Sequence, residues 1–405
     1  VAEGAQPSLL RAINLRATFD VVRARGPVGA PHVVREARLS RPTVGEVINQ
    51  LLDLGLIQKV GLSRGQRGPS AQMYGVNPRA GWVLSVDVGR EWLRAALSDL
   101  TGTVVAQSAD RTRTSAKAVI AQIRGAADEL ATGAGIARTQ LTQVVVGTPG
   151  VILPGDDHLS LAPQLPGWER PRVLTAIREQ LEAPVIFEND VKLSAVGEHV
   201  DGIAKGSDDF VLISLGTGIG MAAFVEGALR RGASGLAGEI GYLPLEVEGG
   251  RPHAEGAAWG AGAFERLVTS AGIAALAQRN GLPVESGAAG IFSAARSGDV
   301  RARRVVERVA TRLAYAVAAV VAVLDPELVV LGGGVGAGGG DMLLPLLRSA
   351  MASVSPFSPR LEVSTLGADA VIKGATATGL RMALDRIFGA DAPLELSTDR
   401  RTASA

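Results

Sequence analysis

The sequence predicts an α/β protein of two similar lobes preceded by a small α+β head, and three observations carry that reading. Charge divides unevenly along the chain. The first eighty residues follow the order helix, helix, helix, hairpin. Two later stretches, VLSVDVG from Val83 and FVLISLGTGIG from Phe210, each open with an apolar strand that ends at a glycine turn and is followed by further strands.

A chain of 405 residues with 47% hydrophobic content can build cores for two or three domains. It contains no cysteine, which excludes disulfides and thiolate metal sites and fits a reducing cytoplasm. The N-terminal stretch lacks the basic, apolar and small-residue order of a secretion signal. The longest uncharged apolar run, Leu313 to Leu324, is too short for a membrane span and reads as a buried helix. A cytoplasmic protein with no membrane partner is therefore expected. Residues 1–80 hold eleven basic and five acidic side chains, a charge of +6, whereas the remainder carries −5. A basic head on an acidic body points to a polyanionic partner, although charge alone fits a solvated surface equally well.

Within the head, Leu15, Phe19 and Val22 recur at helical spacing, and Arg25-Gly26-Pro27 ends that helix. A short second helix is expected over about Ala30–Ala37. In the segment that follows, Ser40 caps a third helix with Pro42 in its first turn, where a missing N–H costs nothing. Val44, Val47, Ile48, Leu51 and Leu52 form its buried stripe, and Gly55 stops it. Arg41, Thr43, Glu46, Asn49 and Gln50 remain outside, a polar face suited to a DNA major groove. Leu56–Lys59 and Gln72–Val76 read as a hairpin whose loop carries Arg64 and Arg67 among glycines, able to follow phosphates or enter a minor groove. Together these make a winged helix-turn-helix over residues 1–76; a three-helix module that binds protein is the other use of such a pattern. Residues 77–81 are a short linker.

The body starts at Trp82. Three strands, a helix over about Lys117–Ala131 and the strand QVVVGTPG form its first part. Aligning Val83–Gly89 with Val211–Gly216 gives a repeat of whole subdomains, and so two lobes with a cleft between them. The first lobe spans 82–200, completed by a C-terminal helix over 375–390; the second spans 201–374; the polar tail 391–405 is expected to be disordered. Gly216-Thr217-Gly218 offers backbone N–H groups and a hydroxyl with no bulk in the way, as a phosphate requires, though such a turn is also an ordinary hairpin. After a strand over Glu327–Leu331, the run beginning Gly332-Gly333-Gly334 can admit a nucleoside or a close-packed backbone, or serve as a flexible connector into a helix at about Met342–Ala350.

Taken in order, TVGEVINQLLDLGLI, GTPGVI, QLPGW, FENDVKLSAVGE, LISLGTGIG, GLAGEIGY and DPELVVLGGGV closely resemble the ROK family of repressors and sugar kinases, over about residues 8–388. The resemblance implies a two-lobed, actin-like or ribonuclease H-like sugar kinase fold behind the winged helix. It also implies sugar-binding roles for Gln164, Asn189, Asp190 and Glu239, with Tyr242 where the family has histidine, and a base role for Asp190 if the chain is a kinase. Asp190 could equally serve to satisfy the first N–H groups of a helix. A nucleotide site, expected to be vestigial in this chain, is implied at Asp87, Gly89, Gly216, Thr217, Gly218, Gly332, Gly333 and Gly334.

Two departures from the family pattern bear on function. Gly89 is followed by Arg90 and Glu91 where family kinases have glycine and threonine, and phosphoryl transfer depends on positioning and charge in that corner. The run Gly238-Glu239-Ile240-Gly241 ends at Tyr242, and the family's zinc-binding cysteines are missing; His253 alone cannot form a tetrahedral site, so no zinc is expected and Trp259 and Phe264 are expected to pack that loop. The reading is a DNA-binding regulator, a repressor whose cleft senses a sugar or sugar phosphate, with operator DNA and a carbohydrate as partners and a homodimeric or homotetrameric state. The alternative is an ATP- and magnesium-dependent sugar kinase carrying a regulatory head.

Overall fold

The structure is a computed structural model that describes residues 7–63, 70–153, 155–162, 165–244 and 262–389. Arg64, Arg67, Gln164, His253, Trp259 and the tail 391–405 lie outside the described residues.

The head comprises α1 (Pro7–Arg25), β1 (Val28–Gly29), α2 (Ala30–Ala37), α3 (Arg41–Asp53), β2 (Ile57–Leu62) and β3 (Gln72–Val76). Ser40 accepts a hydrogen bond from the Thr43 N–H at 3.3 Å, so the expected cap forms, and Gly55 takes the left-handed φ of +68° that lets the chain leave the helix. Val44, Val47, Ile48 and Leu51 are buried against Leu15, Phe19, Val22 and Val33, while Leu52 is half-buried. The sheet has three strands in the order β1-β3-β2: the hairpin gains a two-residue strand pairing Val28 with Tyr74 and Gly29 with Met73.

Next come β4 (Trp82–Val88), β5 (Trp92–Asp99), β6 (Val104–Arg111), α4 (Ala116–Gly133), β7 (Leu141–Thr148), α5 (Val173–Leu181), β8 (Val185–Asn189) and α6 (Asp190–Asp201). Their sheet has the order β6-β5-β4-β7-β8, with β4-β5-β6 antiparallel and β4-β7-β8 parallel. Then follow β9 (Phe210–Leu215), β10 (Ile219–Val225), β11 (Ala228–Arg230), α7 (Glu265–Val268), α8 (Ser270–Arg279), α9 (Gly287–Arg296), α10 (Val300–Leu324), β12 (Leu328–Gly332), α11 (Gly333–Gly338), α12 (Gly340–Val354), β13 (Arg360–Val363) and α13 (Ala370–Phe388). The second sheet, β11-β10-β9-β12-β13, repeats the first in order and direction, so β9 stands in the second sheet where β4 stands in the first.

The glycines after β12 form no irregular connector: Gly333–Gly338 is itself a helix, and α12 starts at Gly340, earlier than the expected Met342. Gly333, at φ +76°, lies so close to Leu215 that a β-carbon would collide with its backbone. That close packing against β9, with Val335 buried, offsets the poor helix propensity of glycine.

Helix α13 packs on β4, β7 and α6, and α6 also touches β9 and β10 of the second sheet. Gly197 and Gly374 allow α6 and α13 to meet backbone to backbone: a β-carbon on Gly374 would overlap the Leu193 carbonyl, and one on Gly197 the Ala370 carbonyl. At its other end α13 enters the head. Leu380, Ala383, Leu384 and Phe388 form one buried cluster with Leu15, Phe19 and Val22 of α1 and with Val83 and Leu100 of the first lobe.

Candidate functional site

On the head, Arg41, Glu46 and Asn49 are exposed along α3. Thr43 is drawn into the cap, its hydroxyl 2.8 Å from that of Ser40, and Gln50 accepts a hydrogen bond from the Arg11 guanidinium at 2.9 Å. The outward face is thus narrower than the sequence suggested, with Arg11 of α1 joined to it.

The body holds a cleft of about 740 Å³ between the two sheets, within the usual size range for small-molecule sites. Its walls bring together most of the residues singled out in the sequence: Asp87 and Gly89 from the first sheet, Asn189 and Asp190 at the start of α6, Gly216, Thr217 and Gly218 after β9, Glu239 and Tyr242, and Gly333 and Gly334. Gly332 does not line it, being the buried last residue of β12.

The helix cap falls one residue before the position considered. Asn189 is the N-cap of α6: its side chain accepts from the Lys192 N–H at 3.1 Å and donates to the Gly150 carbonyl at 3.1 Å. Both ends of the amide are thereby used on protein. Asp190 occupies the first helical position, where one carboxylate oxygen accepts from the Val191 N–H at 2.8 Å. Burial raises the Asp190 pKa, against which that N–H pulls down.

Asp190 lies electrostatically between two other acids. Its charge helps raise Asp87 to a pKa of about 7, chiefly an effect of burial, while Arg94 at 3.5 Å pulls the other way. On the far side it raises Glu239, again mainly pushed up by burial and held down by Lys192. Glu265, the first residue of α7, adds to this end: its charge raises both Glu239 and Tyr242, and burial raises its own pKa.

Three contributors were not picked out from sequence. Glu265 sits beyond the altered zinc-type motif in an unremarkable helix start. Lys192 is 3% exposed and donates to the Gly235 carbonyl at 2.6 Å, fastening α6 to the segment that carries Glu239; burial lowers its pKa, with Glu188 and Glu239 opposing. Arg94 faces Asp87 across the β4–β5 pair, and only the strand register reveals the partnership.

The two glycine turns are both tight hairpins at the cleft. In one, the Gly89 N–H donates to the Trp92 carbonyl at 3.0 Å and the Thr112 hydroxyl donates to the Gly89 carbonyl at 2.7 Å. Arg90 and Glu91 are exposed at the lip; Glu91 pairs with Arg111 at 3.3 Å, and the Arg111 guanidinium lies 4.5 Å from the Trp92 ring centroid. In the other, the Gly216 N–H turns back to the Gly218 carbonyl at 2.9 Å, and Ser270 donates to the Gly216 carbonyl. Among the described residues no group of three or more histidine, cysteine, aspartate or glutamate side chains could hold a metal ion, and no helix is long and apolar enough to cross a membrane. Phe264 is buried in the core of the second lobe.

Two repeated sheets facing each other across a carboxylate-lined cleft, behind a three-helix head with a β-hairpin, define a sugar kinase-like fold with a winged head. The profile of the ROK family matches residues 83–378, and the chain belongs to that family. It is 29% identical over 311 residues to a glucokinase of Halalkalibacterium halodurans, covering 72% of this chain and 93% of that one. It is 24% identical over 400 residues to the DNA-binding transcriptional dual regulator NagC of Escherichia coli, covering 92% and 95%. In fold it is similar to a crystal structure of a ROK family transcriptional regulator described as a homologue of the E. coli MLC protein, with a TM-score of 0.75, 23% identity, and coverage of 93% and 96%.

Proposed function

We propose that this chain is a DNA-binding transcriptional regulator, acting as a repressor, whose cleft senses a sugar instead of phosphorylating it. The observation that carries the reading is the single buried cluster that joins α1 of the head to α13 and the first lobe. A head merely tethered to an enzyme would not need to share a core with it. The likeness to NagC over both head and body supports the same reading.

The cleft couples to the head through two helices. Asp190 opens α6, α6 touches both sheets and packs closely on α13, and α13 ends in the core of the head. A ligand held between the lobes would favour one lobe arrangement by the difference in its affinity for the two, and the head would follow the first lobe as one body. In a dimer this changes the spacing of the two α3 helices and hence the fit to half-sites one helical turn apart.

The retained carboxylates of Asp87 and Asp190, and the likeness to the glucokinase, favour a second reading as an ATP-dependent sugar kinase. A coupled assay with ATP, magnesium and a panel of sugars separates the two. The regulator reading expects no turnover above background; robust turnover that disappears in Asp190→Ala would establish the kinase.

A further inference from the structure

The chain passes from the first lobe to the second between α6 and β9, and returns between β13 and α13. Glu198, fully buried near the end of α6, holds both crossings: its carboxylate accepts from the Ile203 N–H at 2.9 Å, from the Leu366 N–H at 3.4 Å and from the Ser364 hydroxyl. The lobes are jointed there.

The other end of α6 carries a second set of bonds between the lobes. After β11 the second lobe sends out a loop, residues 231–238, that leads into Glu239. The Ala237 N–H closes its base on the Arg231 carbonyl at 3.3 Å, and the Gly238 carbonyl moors it to β10 by accepting from the Met221 N–H at 2.9 Å. Its tip reaches the first lobe. The Gly235 carbonyl accepts from the Lys192 ammonium at 2.6 Å, and a β-carbon on Gly235 would lie 3.3 Å from the Ile152 carbonyl oxygen. The Arg231 guanidinium donates to the Glu188 carboxylate at 2.7 Å, and the same carboxylate accepts from the Asn189 N–H at 3.1 Å.

Lys192 stands where a cation is costly. It lies in the first turn of α6, where the helix dipole disfavours positive charge, and it is buried, so its ammonium needs compensation. The loop supplies part of it through the Gly235 carbonyl and through Glu239, whose charge joins that of Glu188 in opposing the fall in the Lys192 pKa that burial causes. Lys192, Glu188 and Arg231 do not line the cleft. Their charges act between the lobes.

We propose that residues 231–238 form a strap that fastens the second lobe to the first at the far end of α6 from Glu198, with Lys192 and the Glu188–Arg231 pair as its fasteners. Opening the lobes breaks these charge-assisted bonds and carries Glu239 away from Asn189 and Asp190, so the strap sets the ratio of open to closed chains. The three fastening side chains are positioning residues. The proposal deepens the reading of the cleft as a ligand-controlled hinge and rests on that reading for its use, because a ligand can shift only a balance that the strap leaves shiftable.

The sequence has no cysteine, so spin labels can be attached at Glu179→Cys on α5 of the first lobe and Arg304→Cys on α10 of the second, both exposed positions. Double electron–electron resonance on the full-length labelled chain, without added ligand, reads the distance between the lobes. One dominant distance is expected. Arg231→Ala and Glu188→Gln are each expected to raise the share of a second, longer distance relative to the first by at least about threefold, the modest effect of a half-exposed ion pair. The double variant is expected to match either single one, because the two residues share one interaction, and Arg231→Lys to stay near the parent. Lys192→Met, which removes a buried charge-assisted bond, is expected to raise the same ratio about tenfold. Urea midpoints of the Arg231 variants are expected to equal the parent's. The proposal is overturned if Arg231→Ala and Glu188→Gln leave the distances unchanged, if their effects multiply in the double variant, or if the longer distance grows only in samples that have lost stability in urea. Retention of genomic DNA fragments is measured on the same variants. Lengthened distances with no DNA retained would sink the regulator and leave the strap standing; DNA retained with unchanged distances would do the reverse.

Discussion

Phe19 of the head and Phe388 at the end of the last helix pack with ring centroids 5.4 Å apart and planes inclined at 50°. Arg16, one turn before Phe19, pairs with Asp385 at 3.0 Å and lies over the Phe388 ring. The partly exposed ion pair adds little by itself, whereas burial of the two rings stabilises the junction substantially. Phe388→Ala is expected to cost about 3 kcal/mol or more and to split thermal unfolding into separate head and body transitions, where the parent is expected to show one. Differential scanning calorimetry checks this; an unchanged single transition would contradict a shared core.

The contact between α6 and α13 is sterically saturated at Gly374. Gly374→Ala is expected to destabilise the body by about 2 kcal/mol or more, because backbone rather than a flexible side chain must move. Urea denaturation reads the effect, and Gly45→Ala on the open face of α3, where a β-carbon meets nothing within 4 Å, is the control expected to be neutral or slightly stabilising.

Asp87 has a folded pKa of about 7 against an ordinary value of 3.8. Between those values the folded state binds more protons than the unfolded one, so stability falls as pH rises through this window and then levels off. Asp87→Asn removes this site's contribution. The variant is therefore expected to gain on the parent by up to about 4 kcal/mol between about pH 4 and pH 8, measured by denaturant titration at each pH. Equal pH profiles for the two proteins would contradict the burial argument.

Arg41 and Asn49 are both exposed on α3, but they carry different chemistry. Arg41, in the first turn, is expected to contact phosphate, so Arg41→Ala should weaken binding to all DNA sequences and reduce the salt slope by about 1. Asn49 is expected to reach base edges, so Asn49→Ala should cost about 1–3 kcal/mol on the operator alone. Binding isotherms at several salt concentrations separate the two effects.

Much of the head was legible because its signals are local. Ser40, Pro42 and Gly55 each act within one turn of α3, and the stripe from Val44 to Leu51 follows helical spacing. β1 was not legible: two residues after Gly26-Pro27 have no pattern of their own and pair only because β3 presents a free edge. The repeat of the two sheets could be read from matching strand and turn order, but α11 could not, since glycine disfavours helices and close packing against Leu215 overrides that preference. At the site, motif positions led to Asp87, Asp190, Glu239 and Tyr242. Lys192, Glu265 and Arg94 join them through burial and strand register, which a linear pattern does not encode.

The central claim is that ligand binding in the cleft governs a DNA-gripping head. Its most direct measurement is fluorescence anisotropy of the purified chain on genomic fragments, with excess competitor DNA and a panel of sugars and their phosphate esters. The account predicts that a few fragments remain bound through the competitor and that at least one ligand shifts their affinity. Uniform loss of every fragment to competitor, with rapid ATP-dependent phosphorylation of a sugar by the same preparation, would contradict it.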